Sequence, residues 1–232
     1  RQITSLRQRL GKSRTKTLNR IQRILRKLNL QHACPTKSIS TKKARAWLAQ
    51  LALPEVDRLE LDILLEEWGV LETHLERVAA NIEQQHERSP KSQILASVPG
   101  MSSYSSLAVS SRIGDPHDFA RGSSLANFVG LAPGSNSTGD TRRIGSITKQ
   151  GSSLVRFLLG QITLHVLRKD PWMKQWYNQI KRRRGAKIAR VAVMRRLMTI
   201  IWAMLKHNMP YIRGGPAAFR RQLELHQQLG MT

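Results

Sequence analysis

From residue 55 to residue 89 the chain contains no proline, and over this stretch Leu61, Leu64, Trp68, Leu71, Leu75, Val78 and Ile82 recur at alternating spacings of three and four. That rhythm constrains the fold more than any other feature. A strand would place successive members of such a set on opposite faces, whereas a helix gathers them into one stripe. The pattern predicts a long helix opening at Pro54 and running to about Arg88, with a coiled-coil seam. An ordinary helical bundle would use the same stripe.

Charge suggests what lies against it. Residues 55–90 carry ten acids and three Lys/Arg, whereas residues 1–54 carry fourteen Lys/Arg and no acid. Residues 3–30 also read as a helix, with Leu6, Leu10, Leu18, Ile21, Leu25 and Leu28 on its apolar side. An antiparallel hairpin of the basic helix on the acidic one follows, joined by a short helix over residues 41–51 capped by Ser40 or Thr41.

The acids offset only part of the charge. The whole chain carries +24 with a pI near 11.5. Such an excess repels itself and favours a polyanion through counterion release, so DNA or RNA is the expected partner. No apolar run approaches the roughly 20 residues of a spanning helix, which excludes a membrane protein of that kind. Cys34 is the only cysteine, so no internal disulfide forms and a cytoplasmic setting is expected. The histidines are scattered and assemble no Ser-His-Asp set. Beyond residue 90 the acids are Asp115, Asp118, Asp140, Asp170 and Glu224, too dispersed for a two-metal site, so no metal ligand is assigned. Asp115 reads as a helix cap.

Ser89-Pro90 marks a boundary. Residues 94–109 then give a short helix, a turn at Pro99-Gly100-Met101-Ser102 and a second helix. This resembles a helix-hairpin-helix whose turn, through Gly100 and Ser102, would face a phosphate. A plain corner between two helices fits as well, because Ser102 stands where such turns carry a second glycine. Helices are expected at 123–129 and 152–167, the latter with Leu154, Phe157, Leu158, Ile162 and Val166 inward. Another starts at Asp170-Pro171, carries Trp172, Trp176, Tyr177 and Ile180 at a spacing that suggests core rather than a base-stacking row, and ends in Lys181, Arg182, Arg183, Arg184 and Gly185. The next spans 187–207, with Ile188, Val191, Leu197, Ile200, Ile201 and Met204 inward. A marginal helix at 217–229 closes the chain. No strand alternation stands out.

Between these helices, residues 130–156 read as an irregular loop rich in glycine and hydroxyls, with Asp140 its single acid. Ser137-Thr138-Gly139, followed by Arg142, Arg143, Lys149 and Arg156, offers three ways to touch a phosphate. Glycines let backbone N–H groups approach, cations neutralise charge, and a hydroxyl can donate a hydrogen bond to a phosphate oxygen or attack phosphorus. Passive phosphate binding and phosphoryl transfer both suit these residues. Arg182, Arg183, Arg184, Lys187 and Arg190 form a second basic group.

Residues 98–159 carry a wider pattern: a Pro-Gly turn, GDPHDF at 114–119, GLAP at 130–133, a hydroxyl-Gly pair, a basic stretch, TKQG at 148–151 and Leu154-Val155-Arg156-Phe157-Leu158-Leu159. In order and spacing it resembles the C-terminal domain of the bacterial insertion-sequence DEDD transposases, which include the pilin-gene invertases and use a structured bridge RNA. The likeness covers about residues 94–207, and the basic segment before it is similar to that family's coiled-coil linker. It implies a recombinase that cuts and joins the DNA strands of a mobile element, working as a dimer or tetramer with a guide RNA. A serine of the C-terminal domain would act as nucleophile. The family serine falls on Thr138, with Ser137 one residue earlier, and either could serve. The family's Mg²⁺-binding acids lie in an N-terminal RuvC-like domain that these residues do not include, so no cofactor is assigned here and this chain by itself is expected to be inactive.

The sequence therefore predicts an all-α protein. An antiparallel coiled-coil arm (1–90) precedes a compact helical domain (91–210) with a helix-hairpin-helix-like element, and a tail (211–232) follows. It would bind nucleic acid at the bacterial nucleoid, as a recombinase or as a non-catalytic architectural module.

Overall fold

The computed structural model describes residues 1–138 and 141–228, of which residues 135–138 and 141–144 by their backbone alone. Among the described residues the chain is all-α apart from one hairpin. Its helices are α1 (Gln2–Lys27), α2 (Lys42–Gln50), α3 (Glu55–Glu87), α4 (Pro90–Ala96), α5 (Ser103–Ile113), α6 (Gly122–Phe128), α7 (Ser153–Lys169), α8 (Pro171–Lys206) and α9 (Gly215–Gln228). The strands β1 (Pro133–Thr138) and β2 (Thr141–Ile147) pair antiparallel. No helix among the described residues is long and apolar enough to cross a membrane. Two compact units divide the chain, residues 2–82 and residues 83–232, the latter including Arg1.

In the first unit, Ile21, Ile24 and Leu25 of α1 close on Leu48 of α2 and on Leu61, Leu64 and Trp68 of α3. Ion pairs give the direction. Arg14 meets Glu72 at 3.2 Å, Arg23 meets Glu60 at 3.5 Å and Lys27 meets Asp57 at 2.7 Å. As the α1 number climbs the α3 number falls, so α1 and α3 run antiparallel. Glu72 also pairs with Arg45 of α2, whose guanidinium lies 4.9 Å from the Trp68 ring centre. Most of these bridges are partly exposed and worth at most about 1 kcal/mol each, whereas Asp57, the partner of Lys27, is buried. Burial of the apolar seam holds the unit, and the charges fix its register. Thr41 caps α2 by accepting the Ala44 N–H. Pro54 sits just ahead of the first turn of α3, its carbonyl accepting the Arg58 N–H.

Two departures from the expected faces appear on these helices. Leu6 is exposed. On α3, Val56, Leu59, Ile63 and Val70 are all more than half exposed and share a second stripe. It lies roughly 130° round the helix from the buried one at 3.6 residues per turn.

In the second unit α7 supplies the centre. Leu154, Val155, Leu158, Leu159, Ile162 and Val166 are buried against Val193, Leu197, Met198, Ile201 and Met204 of α8. Phe157 of α7 and Ile188 of α8, both expected inward, are instead more than half exposed. Their positions fall on the solvent edge of stripes that the helical period alone does not bound. Gly185 has φ 81° and ψ 165° and breaks α8 into limbs of residues 171–184 and 186–206. Trp202 donates its indole N–H to the Pro116 and Phe119 carbonyls, which ties residues 116–119 to the second limb. Asp170 is buried and caps α8 by accepting the Met173 N–H at 3.2 Å, and Tyr211 from the tail donates to its other oxygen at 2.7 Å.

The hairpin replaces the irregular loop that composition suggested. Its backbone pairs Ser135 with Ile144, Asn136 with Arg143, Ser137 with Arg142 and Thr138 with Thr141, after an irregularity between Pro133 and Ser135. Thr138, Thr141, Ile144 and Ile147 are β-branched, the residue class that strands favour. Glycine and serine between them obscured the pattern.

Candidate nucleic-acid interface

The neck of the hairpin is rigidly built. Gly130 (φ +79°) follows the C-terminal end of α6 and Gly151 (φ +90°) precedes α7. A Cβ on Gly130 would overlap the Gln150 carbonyl, and one on Gly151 the Phe128 carbonyl. Only glycine allows both this backbone and this approach. The Thr148 N–H donates to Ala132 O at 2.9 Å and the Lys149 N–H to Gly130 O at 3.2 Å. Arg156, in the first turn of α7, clamps the neck: its Nη1 donates to Val129 O (2.9 Å), Gly151 O (3.1 Å) and Gln150 O (3.3 Å). Ser152, rather than Thr148 or Gly151, caps α7 by accepting the Val155 N–H.

Of the residues singled out from sequence, Lys149 is exposed at this neck with φ +57°, and Arg156 is half-buried in it. The side chains of Ser137, Thr138, Arg142 and Arg143 lie outside the described residues, as do Gly139 and Asp140 altogether. The backbone nevertheless brings residue 137 opposite 142, and 138 opposite 141, at the end of the hairpin away from the neck.

Part of the second basic group lies on the limb of α8 against which α6 packs. Gly122 of α6 packs against Thr199 of α8, and Asn127 accepts a 3.5 Å bond from Arg195. Moving along α6 toward the hairpin therefore means moving back along α8 toward Arg190, Lys187 and Gly185. Lys181, Arg182, Arg183 and Arg184 are exposed on the limb before Gly185, and Lys187 and Arg190 are exposed on the limb after it. Ala189 and Val193 anchor that limb in the core. Few acids oppose this charge among the described residues. Asp115 is held by the His117 N–H and ring nitrogen, which lower its pKa, and Asp170 is buried with Tyr211.

The Gly100 turn stands apart. Gly100 (φ +89°) packs against His165 of α7, nine residues along from Arg156, or roughly 14 Å at 1.5 Å per residue. Ser102 is the N-cap of α5 in a capping box: its Oγ accepts the Ser105 N–H and its own N–H donates to Ser105 Oγ. The Val98 and Met101 amides donate to Leu95 and Val98 carbonyls. These turn amides already have internal acceptors.

Sequence reasoning passed over a cluster on the opposite flank of α8. Arg196 lies 5.0 Å from the Trp172 ring centre and 4.8 Å from that of Trp176, beside a cavity of about 250 Å³. The helical period flagged Trp172 and Trp176 as core. Nothing in the sequence indicated that the tail, through Tyr211 and Phe219, would close over them.

With this geometry in view, comparison with known proteins is specific. Residues 92–178 match the family described as Transposase IS116/IS110/IS902 family. That segment holds the Gly100 turn, the hairpin, Arg156 and the Trp172–Trp176 face. The chain is similar to a "Probable family 20 transposase" of Pseudomonas aeruginosa, with 28% identity over 223 residues, covering 90% of this chain and 64% of the relative. It is also similar to the "Transposase for insertion sequence element IS1111A" of Coxiella burnetii, with 29% identity over 222 residues, 90% of this chain and 59% of the relative. The chain thus spans about three-fifths of the length of these relatives.

Proposed function

We propose that the protein is the strand-joining portion of a DNA transposase, working on mobile-element DNA with a structured guide RNA. The observation that carries this reading is the hairpin with its clamped neck, within the segment that matches transposases, in a chain that also exposes the basic residues around Gly185. The hydroxyl of Thr138 or Ser137 attacks a backbone phosphorus. An O–P bond forms to the side chain, the bond to the sugar oxygen breaks, and that oxygen takes up the proton the hydroxyl gives up. The phosphodiester energy is kept as an enzyme ester until a strand end displaces it. Arg142, Arg143 and Lys149 would stabilise charge on the phosphate oxygens, while Arg182 to Arg184, Lys187 and Arg190 hold the backbone on either side.

The resemblance to DEDD transposases expects Mg²⁺ on acids of another domain. Among the described residues no group of three or more His, Cys, Asp or Glu could hold a metal ion. The residues here do not fit that site, and no step above passes through it. By itself the chain binds nucleic acid without completing strand exchange. Self-association uses the coiled-coil arm, where Val56, Leu59, Ile63 and Val70 offer a heptad-spaced stripe to a second copy.

The test is to replace Ser137 and Thr138 by Ala, singly and together, in the intact transposase. Recombination should be lost in one single variant and in the double variant, with DNA and RNA affinity retained. Full recombination by the double variant would leave a non-catalytic binding module as the correct reading.

A further inference from the structure

The cavity beside the first turn of α8 is built for a planar group. Trp172, Tyr211 and Phe219 line it, together with Ala203, Arg196 and Arg220. Its volume, about 250 Å³, exceeds the ~150 Å³ that accommodates a benzene ring. Arg196 is the informative member. Its guanidinium is half-buried against the Trp172 and Trp176 rings, and burial pulls its pKa down. Yet no carboxylate or carbonyl among the described residues accepts from it. A guanidinium has five donors, and those of Arg196 are left for solvent or a ligand to accept from. Arg220 is exposed at the rim. Aromatic walls, guanidinium donors without a protein acceptor and a cationic mouth complement one ligand chemistry, a flat ring bearing acceptor atoms and attached to a phosphate.

We infer that this cavity takes a single unstacked nucleobase from a strand running across the face of α8, the ring stacking on its aromatic walls, Arg196 donating to the base edge and Arg220 meeting the flanking phosphate. The inference rests on the nucleic-acid reading above but concerns a separate place in the fold. Stacking of one base on protein aromatics is strong enough to show as about a tenfold change in affinity.

The experiment measures binding of the full chain to two fluorescein-labelled single-stranded oligonucleotides of equal length and charge, one with bases and one with abasic residues throughout. The wild type should prefer the base-bearing strand by about tenfold. Ala203→Leu, which fills the cavity, and Phe219→Ala, which removes a wall, should each bring that ratio close to one and leave abasic affinity unchanged. Circular dichroism and thermal unfolding establish that the variants are folded. A ratio that stays near ten in both folded variants overturns the inference, since the bases are then read elsewhere. So does an equal loss for both strands in a folded variant. A change in sedimentation mass with Ala203→Leu and an unchanged ratio would make the cavity a protein contact and refute it equally. Failure of the wild type to bind either strand would instead count against the nucleic-acid reading itself.

Discussion

Arg156 distinguishes a structural clamp from a phosphate ligand, and the two roles respond differently to lysine. Its Nη1 carries two hydrogens directed at three carbonyls, those of Val129, Gln150 and Gly151, so at least one bond is shared. Two effective charge-assisted bonds in a half-exposed setting, discounted for solvent, contribute about 1 kcal/mol each, or about 2 kcal/mol to keeping the neck closed. Lysine keeps the charge, but its Nζ stands one bond closer to the backbone than Nη1 and falls short of carbonyls on both sides of the neck. Arg156→Lys should therefore open the neck nearly as much as Arg156→Ala. The amides to follow are those of Thr148 and Lys149, which donate across the neck to Ala132 and Gly130. At 1.4 kcal/mol per tenfold, their hydrogen-exchange protection should fall about 30-fold in both variants, while amides of α7 such as Leu159 change little. Gly151→Ala, which forces a side chain onto a left-handed backbone, should loosen the same pair of amides. If Arg156→Lys leaves both amides as protected as in the wild type, and Arg156→Ala alone weakens DNA binding, the guanidinium is a phosphate ligand and the clamp argument is wrong.

Three further outcomes follow from the same geometry. Leu59→Lys with Ile63→Lys should dissociate any oligomer formed through α3, seen as a lower mass in sedimentation, with little loss of thermal stability because both side chains are already exposed. Replacing Arg182, Arg183 and Arg184 together by Ala should lower the slope of log affinity against log salt by about 2 to 3 for duplex DNA, and a slope unchanged within error would remove that run from the interface. His207 has its pKa lowered by burial and by Lys206 and His117. Its unfolded form therefore takes up protons first, so its contribution is neutral above its ordinary pKa of about 6.5 and turns destabilising as pH falls below it. His207→Gln should flatten that part of the melting-temperature profile between about pH 7 and 5.

Helices were readable in this sequence because their signals are local. The three-four rhythm of α3, the Thr41 cap, the helix starts at Ser89-Pro90 and Asp170-Pro171 and the Gly185 break are each settled within a turn or two, and the structure has all of them. Charge added something long-range: fourteen cations against ten acids indicated which helices pair, and the Arg14, Arg23 and Lys27 bridges follow that arrangement. Periodicity gives a stripe but not its width. Phe157 and Ile188 were assigned inward at its edge, and the Val56, Leu59, Ile63, Val70 stripe went unnoticed although it was equally visible.

The hairpin was hidden for a different reason. Composition saw glycine, serine and arginine and inferred irregular backbone, but cross-strand bonds need only extended residues and a partner of the right length, which no single window reveals. Its neck depends on contacts between Gly130 and Gln150, Gly151 and Phe128, and Arg156 and three carbonyls, all of them products of the fold. The same is true of the cavity, whose Asp170–Tyr211 bond spans 41 residues. Residue types thus marked where a phosphate could be met, whereas the shape that would present a hydroxyl to it came from packing. This also explains why Arg156, chosen for its charge, is found bonded to carbonyls: beside the Val129, Gln150 and Gly151 carbonyls, a guanidinium is drawn to the protein before it is free for DNA.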